Sequence, residues 1–184
     1  GAMLVYAKVQ HDPLLDAALN RARARAGMTV LFARHGERTA AVTALRALRA
    51  GGLLGLLADQ LPGGEEGVPA WFLGVATMCH AGPAVFARRA GVPIVPSFCL
   101  RLRAGRYKVF CGRPLPPCAN DADMIQAGMD RLSAIIAAFP GQYFWHHRRF
   151  KRTIELPRRP EEPWRVRGLR LLAERDDPPS AHVH

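Results

Sequence analysis

Between Gln142 and Lys151 the chain reads Gln-Tyr-Phe-Trp-His-His-Arg-Arg-Phe-Lys. Four aromatic rings (Tyr143, Phe144, Trp145, Phe150) stand beside two imidazoles and three permanent cations (Arg148, Arg149, Lys151). A soluble core has no need of that mixture. Rings lie on hydrocarbon chains or at a membrane interface. Guanidinium forks grip phosphates and carboxylates two-pronged. The stretch therefore reads as a place that holds something both apolar and anionic. The plainer alternative is a helix end with a solvated basic rim and ordinary core aromatics.

Asp59-Gln60 is the second candidate. It follows an apolar run, and a carboxylate there can orient a base, accept a sugar hydroxyl or help hold a metal; capping the next turn is the alternative. Arg34 stands at the equivalent strand end and is suited to a phosphate, or is simply solvated. His11 and Asp16 have the spacing used when a carboxylate orients an imidazole base. Pro13 starts a helix between them, however, which leaves His11 outside it and Asp16 in its first turn, where the dipole favours an acid. The pair is read as coincidental. His80 is read as a structural or solvated loop histidine. The four cysteines (Cys79, Cys99, Cys111, Cys118) lack CxxC spacing and read as reduced, mostly buried thiols. No glycine-rich phosphate loop or GxSxG elbow occurs.

These residues need a scaffold, and the pattern supplies one. Leu4–Lys8, Met28–Ala33 and Leu53–Ala58 read as strands, the latter two apolar enough to be covered on both faces. Asp12-Pro13 opens a helix ended by Gly27, with Leu15, Leu19, Ala22 and Ala26 as its inward stripe. A second helix spans about Thr39–Ala50, with Val42, Leu45 and Leu48 inward. Gly82–Ala90 reads as a third. Pro93–Leu100 and Tyr107–Cys111 read as a hairpin. Asn120 caps a long helix carrying Ile125, Met129, Leu132 and Ile136, which Phe139-Pro140-Gly141 breaks. The fold class is α/β, a mixed, largely parallel sheet flanked by helices. In such sheets ligands sit beyond the carboxyl ends of strands, which points to Arg34-His35-Gly36 and to Asp59-Gln60. Residues 1–156 form one domain. From Pro157 to the end, prolines and mixed charge predict a loosely attached basic tail.

The chain of 184 residues carries 26 Lys and Arg against 15 Asp and Glu, a formal net charge of +11. That excess calls for a polyanionic partner, such as anionic lipid, an acidic carrier or nucleic acid. Nucleic acid ranks lowest, because no recognition motif accompanies the charge. No apolar run is long enough to span a bilayer. Gly1-Ala2 before Met3 resembles an expression scar, and the abrupt apolar start suggests a cut fragment.

Taken in order from Leu4 to Lys151, these segments resemble the lipid A biosynthesis acyltransferases of the lauroyl/myristoyl type. Val5-Tyr6 with Asp12-Pro13-Leu14-Leu15-Asp16 resembles that family's VYR and NPLLD. Phe32-Ala33-Arg34-His35-Gly36 resembles IPRRG, and Leu57-Ala58-Asp59-Gln60 resembles LPDQ. Gly67-Val68, Phe72-Leu73-Gly74, Gly82-Pro83-Ala84, Ala87-Arg88-Arg89 and Pro93-Ile94-Val95-Pro96 follow in the family's order. Gln142–Lys151 resembles EQYxWLHRRFK, the most specific of these motifs, although His146 replaces an apolar residue.

The resemblance implies a glycerolphosphate-acyltransferase-like fold and no metal or redox cofactor. It also implies transfer of a fatty acyl chain from acyl carrier protein or acyl-CoA to a hydroxyl of a phosphorylated, glucosamine-based lipid, at the cytoplasmic face of the bacterial inner membrane. On that footing Arg34, Arg148, Arg149 and Lys151 hold phosphate or carrier, Asp59 and Gln60 line the acceptor site, and Trp145 and His147 complete the substrate-binding set. Phe144 and Phe150 belong to the acyl side or the interface. The family's His-x4-Asp/Glu pair stands upstream of the VYR motif, so no catalytic residue is assigned here and weak or absent activity is expected. The alternative is a non-enzymatic module that binds anionic membrane.

Overall fold

Strand β1 (Met3–Ala7) is the centre of a three-stranded parallel sheet, flanked by β2 (Met28–Phe32) and β3 (Leu53–Gly55). The computed structural model describes residues 2–32, 38–63 and 67–157. The chain divides into two compact units: residues up to Leu57 with Val85–Val92, and Ala58–Ala84 with Pro93 onward.

In the first unit, helix α1 (Pro13–Arg25) starts where the Asp12 carboxylate accepts the amide protons of Leu14 and Leu15, at 2.8 and 3.3 Å. Helix α2 (Arg38–Arg49) presents Ala44 and Leu48 as its buried positions. Leu4, Leu31 and Ala44 form the core, with Tyr6, Ala47, Leu54 and Phe86 packed against it. Phe86 lies on α3 (Gly82–Ala90), whose bounds are those the sequence predicts, and its ring sits 5.8 Å from that of Tyr6.

Three predicted faces are corrected. The α1 stripe is turned out: Leu15 and Leu19 are exposed and the helix has no buried residue. The half-buried side is polar, a ladder in which Asp16 accepts from Gln10 N and Asn20 Nδ2, and Asn20 accepts from Arg23 Nη1, each at 2.9 Å. Those bonds satisfy polar groups that apolar packing would strand. On α2, Val42 also points outward. The third strand is three residues long, and Leu53 and Leu57 are exposed, so it is not covered on both faces.

The second unit is built on a hairpin the sequence reading left unassigned, β4 (Val68–Phe72) with β5 (Val75–Cys79). Its two-residue turn, Leu73-Gly74, has φ of 51° and 77°. Positive φ at both centres is the twist-matched turn of a tight hairpin. It is uncommon for leucine, and here the Leu73 amide donates to Ser133 Oγ at 3.0 Å. Ser133 belongs to α4 (Asp121–Ala138), which is capped by Asn120, packs along β4 and buries Met124, Ile125, Met129 and Ile136.

A second hairpin pairs β6 (Ser97–Arg103) with β7 (Arg106–Cys111). Its first strand is displaced from the predicted Pro93–Leu100, because Pro93 and Pro96 have no amide proton for a ladder and only Ile94 bridges, to Leu115. Cys99 stands opposite Val109. Three of the four thiols are exposed, contrary to the mostly buried expectation: Cys99 and Cys111 stand on the open face of this hairpin, and Cys118 lies in the loop before the Asp121–Ala138 helix. The architecture is mixed α/β, but its parallel part is one small sheet, and the other strands described form two antiparallel hairpins rather than extending a single largely parallel sheet.

Candidate active site

The hairpin β4–β5 has two free edges, and each is closed by side chains. Antiparallel pairs alternate between hydrogen-bonded and open positions. With Phe72 and Val75 closing the turn, Trp71 and Pro69 on one strand and Ala76 and Met78 on the other aim their backbone groups outward. Pro69, which has no amide proton, therefore removes no ladder bond. On the β4 edge, Gln126 accepts from Trp71 N at 2.8 Å and donates to Trp71 O at 3.0 Å. On the β5 edge, Ile154 N donates to Ala76 O at 3.1 Å and Arg149 Nη1 to Met78 O at 2.9 Å. The end of the aromatic-basic stretch thus serves as a short third strand, with Thr153 bridged to Thr77.

Arg149 is the largest fully buried side chain among the described residues, 2% exposed. Its guanidinium also reaches Thr77 Oγ1 at 3.3 Å and Cys79 Sγ at 2.8 Å, and lies 4.9 Å over the Phe72 ring. Its Nε has no hydrogen-bond partner among the described residues. Thr77 Oγ1 passes its own proton to Arg152 O at 2.8 Å. Burial pushes the Cys79 thiol up, and the neighbouring guanidinium only opposes that, so the thiol is held neutral. The three free acceptors of this hairpin end are thereby served by one arginine. Phe150 stacks on Phe72 at 5.7 Å, and Tyr143 meets the same ring edge-on at 6.0 Å.

The same stretch holds the loop that carries Asp59. Tyr143 Oη donates to Asp59 O at 3.3 Å, Leu61 N donates to His147 Nε2 at 2.9 Å, and Arg152 Nη2 donates to Pro62 O. Asp59 is half-buried and Gln60 is exposed, as are Trp145, Arg148 and Lys151. The Trp145 indole N–H is spent on Pro140 O at 2.7 Å, and its ring meets Tyr143 edge-on at 5.0 Å. Asp59, Gln60, Trp145, His147, Arg148, Arg149 and Lys151 all belong to one unit, in which His147 bonds to the loop that carries Asp59 and Gln60. Arg34 lies outside the described residues, as do all but the first residue of the predicted tail. His11 is exposed, and both Asp16 oxygens are occupied by Gln10 and Asn20. Among the described residues no cluster of three or more His, Cys, Asp or Glu is placed to hold a metal, and no helix is long and apolar enough to cross a membrane.

Sequence reasoning named neither Tyr143 nor Arg152 as site residues. No local pattern could have flagged them, since their bonds span 84 and 90 positions.

The Tyr143 hydroxyl is pushed up to about 12, first by burial and then by the Asp59 charge, with Arg149 opposing. The neutral phenol is thus favoured in the folded chain. Its contribution is complete below the ordinary value of 10.0 and is lost as pH rises toward 12. The urea midpoint of the wild type should fall more steeply across that window than that of Tyr143→Phe, and equal slopes would show that the phenol is not held as described.

The family model of the bacterial lipid A biosynthesis acyltransferases matches residues 1–152. No curated protein matches the chain. The match takes in both hairpins, the Asp59 loop and the aromatic-basic stretch through Arg152, and the chain belongs to the bacterial lipid A biosynthesis acyltransferase family.

Proposed function

We propose that this chain serves transfer of a fatty acyl group, from acyl carrier protein or acyl-CoA, to a hydroxyl of a lipid A precursor or a related phosphorylated glycolipid. The observation that carries the reading is the loop Asp59–Pro62, tied by three hydrogen bonds to a stretch whose outer side offers Arg148, Lys151 and Trp145. A carboxylate on the loop, with exposed cations and an open indole on the stretch that holds the loop, suits a ligand with sugar hydroxyls, phosphates and hydrocarbon.

In this reading Arg148 and Lys151 grip phosphate. Asp59 and Gln60 face the acceptor sugar, and Trp145 lies along acyl chain. His147 orients the loop through Leu61. Arg149 is a positioning residue rather than a direct contact, because its Nη donors already serve protein acceptors. In the transfer itself, the acceptor oxygen attacks the thioester carbonyl, the carbon–sulfur bond breaks, and the carrier leaves as thiol. The hydroxyl proton goes to a general base, a role not given to His11 and Asp16. The reaction is placed at the cytoplasmic face of the bacterial inner membrane, where acceptor and anionic lipid are presented together.

Binding of a phosphorylated diglucosamine lipid in detergent micelles tests the site. Arg148→Ala combined with Lys151→Ala should weaken it at least about tenfold, since charge-assisted bonds contribute roughly 1.5–3 kcal/mol each. Unchanged binding would remove both residues from the site. Appearance of labelled acyl chain on the glycolipid, with acyl carrier protein as donor, tests the reaction.

A further inference from the structure

We propose that the open end of the β6–β7 hairpin, together with the 3-10 turn Pro140–Gln142 and the rings that follow it, docks on an anionic phospholipid bilayer. This rests on the proposed function only in that the acceptor is a membrane lipid, and it assigns a surface centred on Arg101–Ala104 and Pro140–Phe144 that shares Trp145, Arg148 and Lys151 with the proposed substrate site.

The two parts are fixed to each other. The Gln142 side-chain amide accepts from Arg101 N at 2.7 Å and donates to Arg101 O at 3.1 Å, extending the hairpin edge as a strand would. Between them lies an open depression of about 560 Å³ lined by Arg101, Leu102, Arg103, Ala104, Gly141 and Gln142. It is wide enough for a lipid headgroup and has two arginines among its lining residues. Apolar tips stand beside it: Leu102 is 61% exposed, Phe144 62% and Trp145 50%. The Trp145 N–H is already satisfied by Pro140, so the ring has no polar demand that water must meet.

The charge around these tips has one sign. Residues 97–111 and 139–154 contain no Asp or Glu, while Arg101, Arg103, Arg106, Lys108, Arg148 and Lys151 are all exposed. An acidic protein would neutralise the cations but would have no use for three scattered apolar tips. A bilayer takes both, the tips at the level of the acyl boundary and the cations on phosphate.

Co-sedimentation of the full chain with vesicles decides the matter. The wild type should bind vesicles of phosphatidylcholine mixed with phosphatidylglycerol, and bind phosphatidylcholine alone far more weakly. Arg101→Glu with Arg103→Glu should lose at least about tenfold in affinity for the mixed vesicles. Leu102→Asn with Phe144→Asn should lose a similar factor while keeping the chain's charge. Arg21→Glu with Arg25→Glu on α1 changes net charge by as much as the hairpin pair and should lose no more than about threefold. Equal losses from the two arginine pairs would mean diffuse attraction and overturn the assignment. Absence of vesicle binding, or binding to acyl carrier protein in its place, would overturn it as well. None of these outcomes reads acyl transfer or glycolipid affinity, so the proposed function stands or falls separately.

Discussion

Arg149→Ala should lose about 4 kcal/mol of folding stability, the largest effect expected of any single replacement in the site. The side chain is 2% exposed and serves Met78 O, Thr77 Oγ1 and Cys79 Sγ while covering the Phe72 ring. Alanine removes that packing and leaves the Met78 carbonyl unpaired, each a destabilising term of about 1–3 kcal/mol or more. None of the four partners is an anion, since burial keeps the Cys79 thiol neutral. A buried cation so placed gives up solvation without an opposite charge to replace it. Arg149→Met, which keeps bulk and drops the charge, should therefore lose less than alanine. Arg149→Lys should not approach wild type, because a point charge can neither fork to two acceptors nor lie flat on Phe72. Urea midpoints at unchanged slope would establish the order Arg, Met, then Lys and Ala. Alanine within about 0.5 kcal/mol of wild type would mean the guanidinium is not structural, and would return it to the set of groups available for phosphate.

The arginine also shows where a sequence is readable and where it is not. Local chemistry was legible. Asp12 and Asn120 cap the helices they were expected to cap, and α3 begins and ends at Gly82 and Ala90 as predicted. The hairpin β4–β5 was not legible, because Gly67, Pro69 and Gly74 look like strand breakers. Pro69 is tolerated only because its position points away from β5, and the turn only because Leu73 accepts positive φ with its amide on Ser133. Periodicity found the apolar stripe of α1 but not its direction. Asp16, Asn20 and Arg23 satisfy one another on the half-buried side, so the apolar side is left outward. Burial of Arg149 runs against the ordinary habit of arginine, and its partners lie 70 to 72 residues away. In the site, residue types named Asp59, His147 and the cations. The bonds that hold the Asp59 loop come from Tyr143 and Arg152 as well, and become visible only when the chain is folded.

Gly67→Ala should lose roughly 3 kcal/mol, although the residue touches no candidate ligand group. Gly67 stands just before β4 at φ +127°, a conformation side-chain-bearing residues rarely adopt. A Cβ there would meet Cys79 O at 2.8 Å and Pro62 Cγ at 2.9 Å. The first obstacle is backbone at the end of β5, so it cannot swing aside. The second belongs to a buried proline whose carbonyl is held by Arg152. Relief must come from moving the hairpin end away from the loop, and that loop carries Asp59. Gly141→Ala is the matched control, since its Cβ would meet nothing within 4 Å and its φ is not positive. It should stay within about 0.5 kcal/mol of wild type. At urea concentrations where both variants remain folded, Gly67→Ala should also bind the phosphorylated glycolipid less well than Gly141→Ala. Reduced stability with unimpaired binding would show that the Asp59 loop does not need the hairpin end to hold its place, and would sever the link between the Arg149 cluster and the acceptor site.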